Sequence, residues 1–78
     1  MNECISLSSM AQGALATIEQ IKIDPGSRGR LLEMGLLVGT PVEFVRCAPM
    51  GDPVEIKIRG YHLTLRRHEA DQIWVRLE

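Results

Sequence analysis

The chain has 78 residues, enough for one small domain, and its 45% hydrophobic and 24% charged residues are an ordinary globular mix that excludes a disordered chain. Nine Lys and Arg against ten Asp and Glu give a formal charge of −1, which argues against a strongly basic nucleic-acid binder. One Trp, one Tyr and one Phe leave little material for a base-stacking platform. A domain this small buries only about 60% of the surface that its unfolded chain exposes, so its stability needs support from a disulfide, a metal, self-association or a very regular core.

In chain order, the acidic start Met1-Asn2-Glu3-Cys4 leads into no long apolar run and does not read as a signal peptide. Leu15 to Ile23 is expected as the first strand. Its alternation slips, because Ile18 lies on one face while Ile21 and Ile23 lie on the other. One extra residue near Glu19-Gln20 restores the pattern, so a β-bulge is expected there. Asp24 suits a helix N-cap with Pro25 at the first helical position. The helix carries Leu31, Leu32 and Met34, and Gly35 is suited to end it in a left-handed conformation. Gly29 within it costs about 1 kcal/mol relative to Ala, so packing of Leu31 and Met34 must hold the helix in place.

Pro41 to Cys47 turns Val42, Phe44 and the stem of Arg46 to one face. Val54 to Arg59 is the clearest strand, with Val54, Ile56 and Ile58 inward and Glu55, Lys57 and Arg59 outward. Arg59-Gly60-Tyr61-His62 is expected as a tight hairpin turn, with Gly60 at positive φ. His62 to Arg66 returns, burying Leu63 and Leu65. Arg67 to Asp71 fits one polar helical or 3₁₀ turn. Ile73, Val75 and Leu77 face inward on a last strand, with Trp74 and Arg76 on its other side. Five short strands with small helical turns predict a mainly-β, SH3-like barrel occupying residues 1–78, whose closure would remove exposed strand edges.

The chemistry-bearing residues are few. Cys4 and Cys47 are too few for a disulfide framework and read as reduced, cytoplasmic thiols, with a single Cys4–Cys47 bridge as the alternative. His62 and His68 are the only histidines, and no spacing of His and Cys resembles a zinc site. They read as solvated, and as candidate ligands, with Cys4, Cys47, Asp52 and Glu69 available beside them, should a divalent metal bind adventitiously or at an interface. No cofactor is required, and no nucleophile, acid–base pair or phosphate loop suggests an enzyme. The longest apolar stretch, Met34 to Gly39, is too short to cross a bilayer, so a membrane role needs a partner that supplies the span. The arginines of the C-terminal part are nearly balanced by acids, which fits solvated strand faces or a local cluster docking an acidic partner.

Two apolar spots remain. Met50, in the Ala48-Pro49-Met50-Gly51-Asp52-Pro53 loop, either projects as adaptable contact surface or folds back over the barrel mouth. In Leu36-Leu37-Val38, alternation cannot bury all three; Leu36 is the core candidate, which leaves Leu37 or Val38 outside.

Taken in order, these pieces resemble the FeoA family of bacterial ferrous iron transport. Leu7-x-x-Met10-x-x-Gly13-x-x-Ala16-x-Ile18 looks like the approach to its first strand, and Arg30-Leu31-Leu32-Glu33-Met34-Gly35-Leu36-x-x-Gly39-x-x-Val42 is similar to its helix and turn. Ala48-Pro49-x-Gly51-Asp52-Pro53-x-x-Ile56 is similar to its loop, and Gly60 with Leu65-Arg66-x-x-Glu69-Ala70 matches its C-terminal hairpin and turn. Val38 stands where the family often has Pro, Thr64 where a small apolar residue is common, and Trp74 is unusual. The resemblance implies a small cytoplasmic accessory protein, peripheral to the inner membrane through its partner. That partner would be FeoB, the membrane ferrous iron transporter with a cytoplasmic GTP-binding domain. Leu37, Met50, Tyr61 and Trp74 are the expected contacts, with Arg66 and Arg67 as rim charges. The same contacts would equally serve homo-oligomerisation. The alternative is a free-standing metal-sensing module, because the same SH3-like unit ends metal-dependent repressors. In a further variant, Arg66 or Arg67 would act on GTP turnover by FeoB.

Overall fold

Alternation builds the sheet in the computed structural model, which describes residues 4–78; the acidic start at residues 1–3 lies outside them. Six strands form: β1 (Cys4–Ser6), β2 (Leu15–Ile21), β3 (Pro41–Cys47), β4 (Val54–Ile58), β5 (Tyr61–Leu65) and β6 (Ile73–Leu77). Helix α1 (Pro25–Glu33) follows β2, a one-turn helix α2 (Arg67–Ala70) follows β5, and a 3₁₀ turn at Leu7–Ser9 follows β1. All pairings are antiparallel, in the order β1-β6-β2-β3-β4-β5. The sheet coils so that its inward residues share one core. That core runs from Ala16 and Ile18 on β2 through Val42, Phe44, Ile56 and Leu65 to Ile73 and Val75 on β6. Leu7, Leu31 and Leu36, all fully buried, plug it from the connections.

The SH3-like, mainly-β architecture is the expected one, with particular differences. A sixth strand, β1, pairs with β6; three residues that run straight into a turn are too short to show alternation. Among the described residues the ladder does not close, because β1 and β5 are not neighbours, so the sheet keeps two edges instead of none. The bulge in β2 is present, with the register slipping between Ile18 and Gln20. A second slip, between Phe44 and Arg46, is new, and it turns the Arg46 stem out to solvent rather than into the core. The strand β2 stops at Ile21, but Ile23 stays buried beyond it. Leu63 is only partly buried against the core, and Leu77, at the strand end, is exposed.

Helix α1 starts after Asp24 with Pro25 at its first position. The Asp24 side chain makes no capping bond; its backbone carbonyl accepts from Ser27 and Arg28 instead. Leu31 carries the helix into the core, and Met34 packs partly on it. Gly35 ends the helix at φ +94°. The position is doubly constrained: a Cβ there would stand 2.7 Å from the Tyr61 hydroxyl, which donates to the Met34 carbonyl.

Candidate functional site

The hairpin from β4 to β5 sets the geometry of the region. Arg59 (φ +47°) and Gly60 (φ +87°) both adopt left-handed conformations, so the two-residue loop is a type I′ turn between paired Ile58 and Tyr61. The turn lies one residue earlier than alternation suggested, because the right-handed strand twist requires positive φ at both central residues. Beyond the turn, Lys57 opposes His62, Ile56 opposes Leu63 and Glu55 opposes Thr64.

On the outer face, Glu55 joins its neighbours. One carboxylate oxygen accepts from Arg46 Nε at 3.0 Å and the other lies 2.7 Å from His62 Nδ1. The hydrogen bonds from His62 and Arg46 hold the Glu55 carboxyl below the usual carboxylate range.

At its far end β5 runs into α2. Glu69 reaches back to accept from the Arg66 backbone N–H at 3.1 Å and pairs with the Arg30 guanidinium of α1. The residue is 4% exposed. Burial pushes its carboxyl up, but the Arg30 hydrogen bond, the Arg66 N–H and the charges of Arg30 and His68 outweigh it, so the group sits below the usual range. The Ala48–Pro53 loop leans on the same helix. The Arg67 backbone N–H donates to Asp52 Oδ1 at 2.9 Å, and the Arg67 guanidinium lies against Gly51, where a Cβ would meet it at 2.6 Å. The Asp52–Pro53 bond is cis. Between α1, this loop and the end of β5 lies a cleft of about 580 Å³, lined by Arg30, Asp52, Thr64, Leu65, Arg66 and Glu69, among others.

The expected contacts fall into two groups at opposite ends of β5. Tyr61, 42% exposed, begins the strand and donates to the Met34 carbonyl at the end of α1, three residues before Leu37. Leu36 is fully buried, while Leu37 and Val38 are both exposed, so the run yields two surface residues where one was required. At the other end stand exposed Arg66 and Arg67 beside the loop that carries Met50. Met50 is 94% exposed and projects rather than plugging the barrel.

Trp74 belongs to neither group. It lies on β6 between β1 and β2, half-buried, with the Lys22 ammonium 5.4 Å from its ring centre. Of the histidines, His62 engages Glu55 and His68 is exposed on α2. Both thiols are free and exposed. Among the described residues, no group of three or more His, Cys, Asp and Glu is placed to hold a metal ion, and no helix is long and apolar enough to cross a membrane.

The Arg30–Glu69 pair was not singled out from the sequence as a site. The available signal was a Glu three residues after Arg66 at the start of a short helix, half of a capping box. The partner Arg30 lies 39 residues away in sequence, beyond the reach of local pattern.

Fold and surface together define a small SH3-like module: an open six-stranded sheet, a cleft beside its β5 edge and apolar side chains projecting at both ends of that edge. Residues 5–77 match the model of the FeoA domain, and the chain belongs to the FeoA family, a family of ferrous iron transport. It is 39% identical over 71 residues to the Fe(2+) transport protein A/Fe(2+) transporter FeoB fusion protein of Porphyromonas gingivalis. That match covers 91% of this chain but 8% of the relative, so the chain spans under a tenth of that protein's length. The NMR structure of a FeoA-like protein from Clostridium acetobutylicum is 32% identical and superposes with a TM-score of 0.86, covering 99% of this chain and 90% of that one. A manganese-dependent transcriptional repressor superposes with a TM-score of 0.90 over all of this chain and 44% of its own; at 16% identity the likeness is one of fold.

Proposed function

We propose that this chain is a small accessory module of ferrous iron uptake that docks on a FeoB-type transporter and modulates its activity or assembly, without catalysing a reaction itself. The observation that carries the reading is the fusion relative. A domain similar to this one along nearly its whole length is there joined, in one chain, to what is named as the transporter. Covalent linkage raises the effective concentration of two modules that act together, which is the advantage a fusion gives to a docking pair. The exposed apolar side chains of Leu37 and Met50 fit the centre of a modest contact, and Arg66 and Arg67 fit its charged rim. Tyr61 contributes through its exposed ring edge; Trp74, half-covered and on the far side of the sheet, is the least suited of the four expected apolar contacts. This placement would keep the chain in the cytoplasm and peripheral to the membrane.

The test is titration of the chain against cytoplasmic segments of FeoB, with GTP turnover followed in parallel. Saturable binding supports the reading. Absence of binding to every segment overturns it. A change of turnover that is lost in Arg66→Ala or Arg67→Ala would add action on GTP hydrolysis to the docking role.

A further inference from the structure

The edge strand β5 is open. In a type I′ hairpin the residues flanking the turn, Ile58 and Tyr61, exchange backbone hydrogen bonds, and the pattern alternates from there. Leu63 and Leu65 therefore bond to β4, while the N–H and C=O groups of His62 and Thr64 point away from it. Among the described residues, no strand pairs with β5 on that side, and no turn or side chain supplies a partner to those four groups. The usual protections of an edge are missing: β5 has no Pro, Lys or bulge, and its register is regular throughout.

The charge at the α2 end of this edge has one sign to spare. Along the strand and at its α2 end the carboxylates are engaged: Glu55 by Arg46 and His62, Glu69 by Arg30, and Asp52 by the Arg67 N–H. At the turn end, by contrast, Glu43 opposes Lys57 across the β3–β4 ladder and lines a pocket with Lys57, Arg59 and Glu78. Among the described residues, Lys57 and Arg59 at the turn end, and Arg66 and Arg67 at the other, form no ion pair. The cleft beside Thr64 and Leu65 leaves space along the strand.

We infer that β5 is a strand-addition site for an extended, acidic polypeptide segment of a protein partner, which pairs with His62 and Thr64 as a seventh strand. The backbone ladder supplies the affinity, and carboxylates of the segment meet the unpaired Arg66 and Arg67 at the α2 end. The seventh strand would also lie between the Tyr61–Leu37 group and the Met50–Arg67 group, which β5 alone connects. The inference names the binding mode of the docking proposed above and rests on that reading for its natural partner.

Amide hydrogen exchange tests it, with two probes: a synthetic peptide alternating glutamate with valine, and FeoB cytoplasmic segments. In the free chain the His62 and Thr64 amides should exchange fast and those of Leu63 and Leu65 slowly; slow exchange at all four would remove the open edge and the inference with it. On binding, His62 and Thr64 should slow at least tenfold, and a lysine-for-glutamate peptide should have no effect. Thr64→Pro, tolerated where the N–H faces solvent, should weaken binding at least tenfold while the fold persists. The charge reversal Arg66→Glu/Arg67→Glu tests the same site without touching the backbone.

Binding of FeoB segments that leaves His62 and Thr64 unprotected overturns strand addition and leaves docking standing. Protection by the acidic peptide, with no binding of any FeoB segment, supports the site and overturns the partner. Protection that rises with the concentration of this chain alone assigns the edge to a second copy and overturns the acidic segment. No change with either probe overturns the inference outright.

Discussion

The two edges of the sheet are built differently. The β1 edge is three residues long and ends at once in a 3₁₀ turn, whose Leu7 is fully buried. Beyond it the Ser8 hydroxyl donates to Asp71, tying the turn to the end of α2. The β5 edge is five residues long, regular and uncovered, and it ends in a helix held by an ion pair. An edge strand is a template for pairing, and proteins keep it short or blunt it unless pairing is its use. Here one edge is short and runs at once into a buried turn, while the other is longer, exposed and flanked at its α2 end by unpaired arginines.

The largest effect is expected at the buried turn that ends the first edge. Leu7→Ala removes a fully buried side chain, and such truncations cost about 2–5 kcal/mol. A domain this small holds little more than that in reserve, so the variant should be largely unfolded or melt far lower in chemical denaturation. Leu63→Ala, on the open edge and only partly buried, should lose distinctly less. Equal losses would mean that the two edges are packed alike and would break the comparison.

Next comes the ion pair that anchors the end of β5. Glu69→Gln removes the charge from two hydrogen bonds, each worth roughly 1.5–3 kcal/mol when charge-assisted and less when neutral, so a loss of about 1–2 kcal/mol is expected. The pH dependence carries the sign. Because the folded Glu69 carboxyl titrates below its unfolded value, its contribution is fully present above the ordinary carboxylate range. It is lost as pH falls through that range to the folded value. Denaturation midpoints measured down the acid limb should fall less steeply in Glu69→Gln than in the unaltered chain. Parallel slopes would mean that Glu69 is not held by Arg30.

Much of this was legible in the residues. The bulge near Glu19, the inward set of Val54, Ile56 and Ile58, and the left-handed Gly35 follow from period and steric rules that act within a few residues. The edges were not legible, because closure depends on whether β1 and β5 meet, and they lie at the two ends of the strand order. Arg30–Glu69 was hidden for the same reason. The second bulge left only a weak signal: Val45 and Arg46 both suit a strand, so the pattern could not show which of them turns outward.

The turns give a smaller and sharper contrast. Gly35 and Gly60 both have φ near +90°, and a side chain in that region costs about 1–2 kcal/mol. Around Gly60 the space is open, whereas a Cβ on Gly35 would press on the Tyr61 hydroxyl. Gly35→Ala should therefore destabilise more than Gly60→Ala. Tyr61→Phe, which loses the hydrogen bond to Met34, should cost about 1 kcal/mol and narrow the difference when combined with Gly35→Ala. Equal costs for the two glycine changes would place the penalty in the backbone alone.

The smallest effect on the fold is expected at the two ends of the open edge. Leu37→Asp/Met50→Asp adds polarity where side chains already stand in water, and surface changes of this kind usually fall within about 0.5 kcal/mol. The same double change puts charge into the apolar centre of the proposed contact. Loss of even one well-packed anchor costs more than about 1.4 kcal/mol of binding, a factor of ten in Kd. An unaltered melting curve with at least tenfold weaker binding to FeoB segments would separate docking from folding at this surface. Unchanged binding would remove Leu37 and Met50 from the contact and leave it to the β5 backbone, Tyr61 and the flanking arginines.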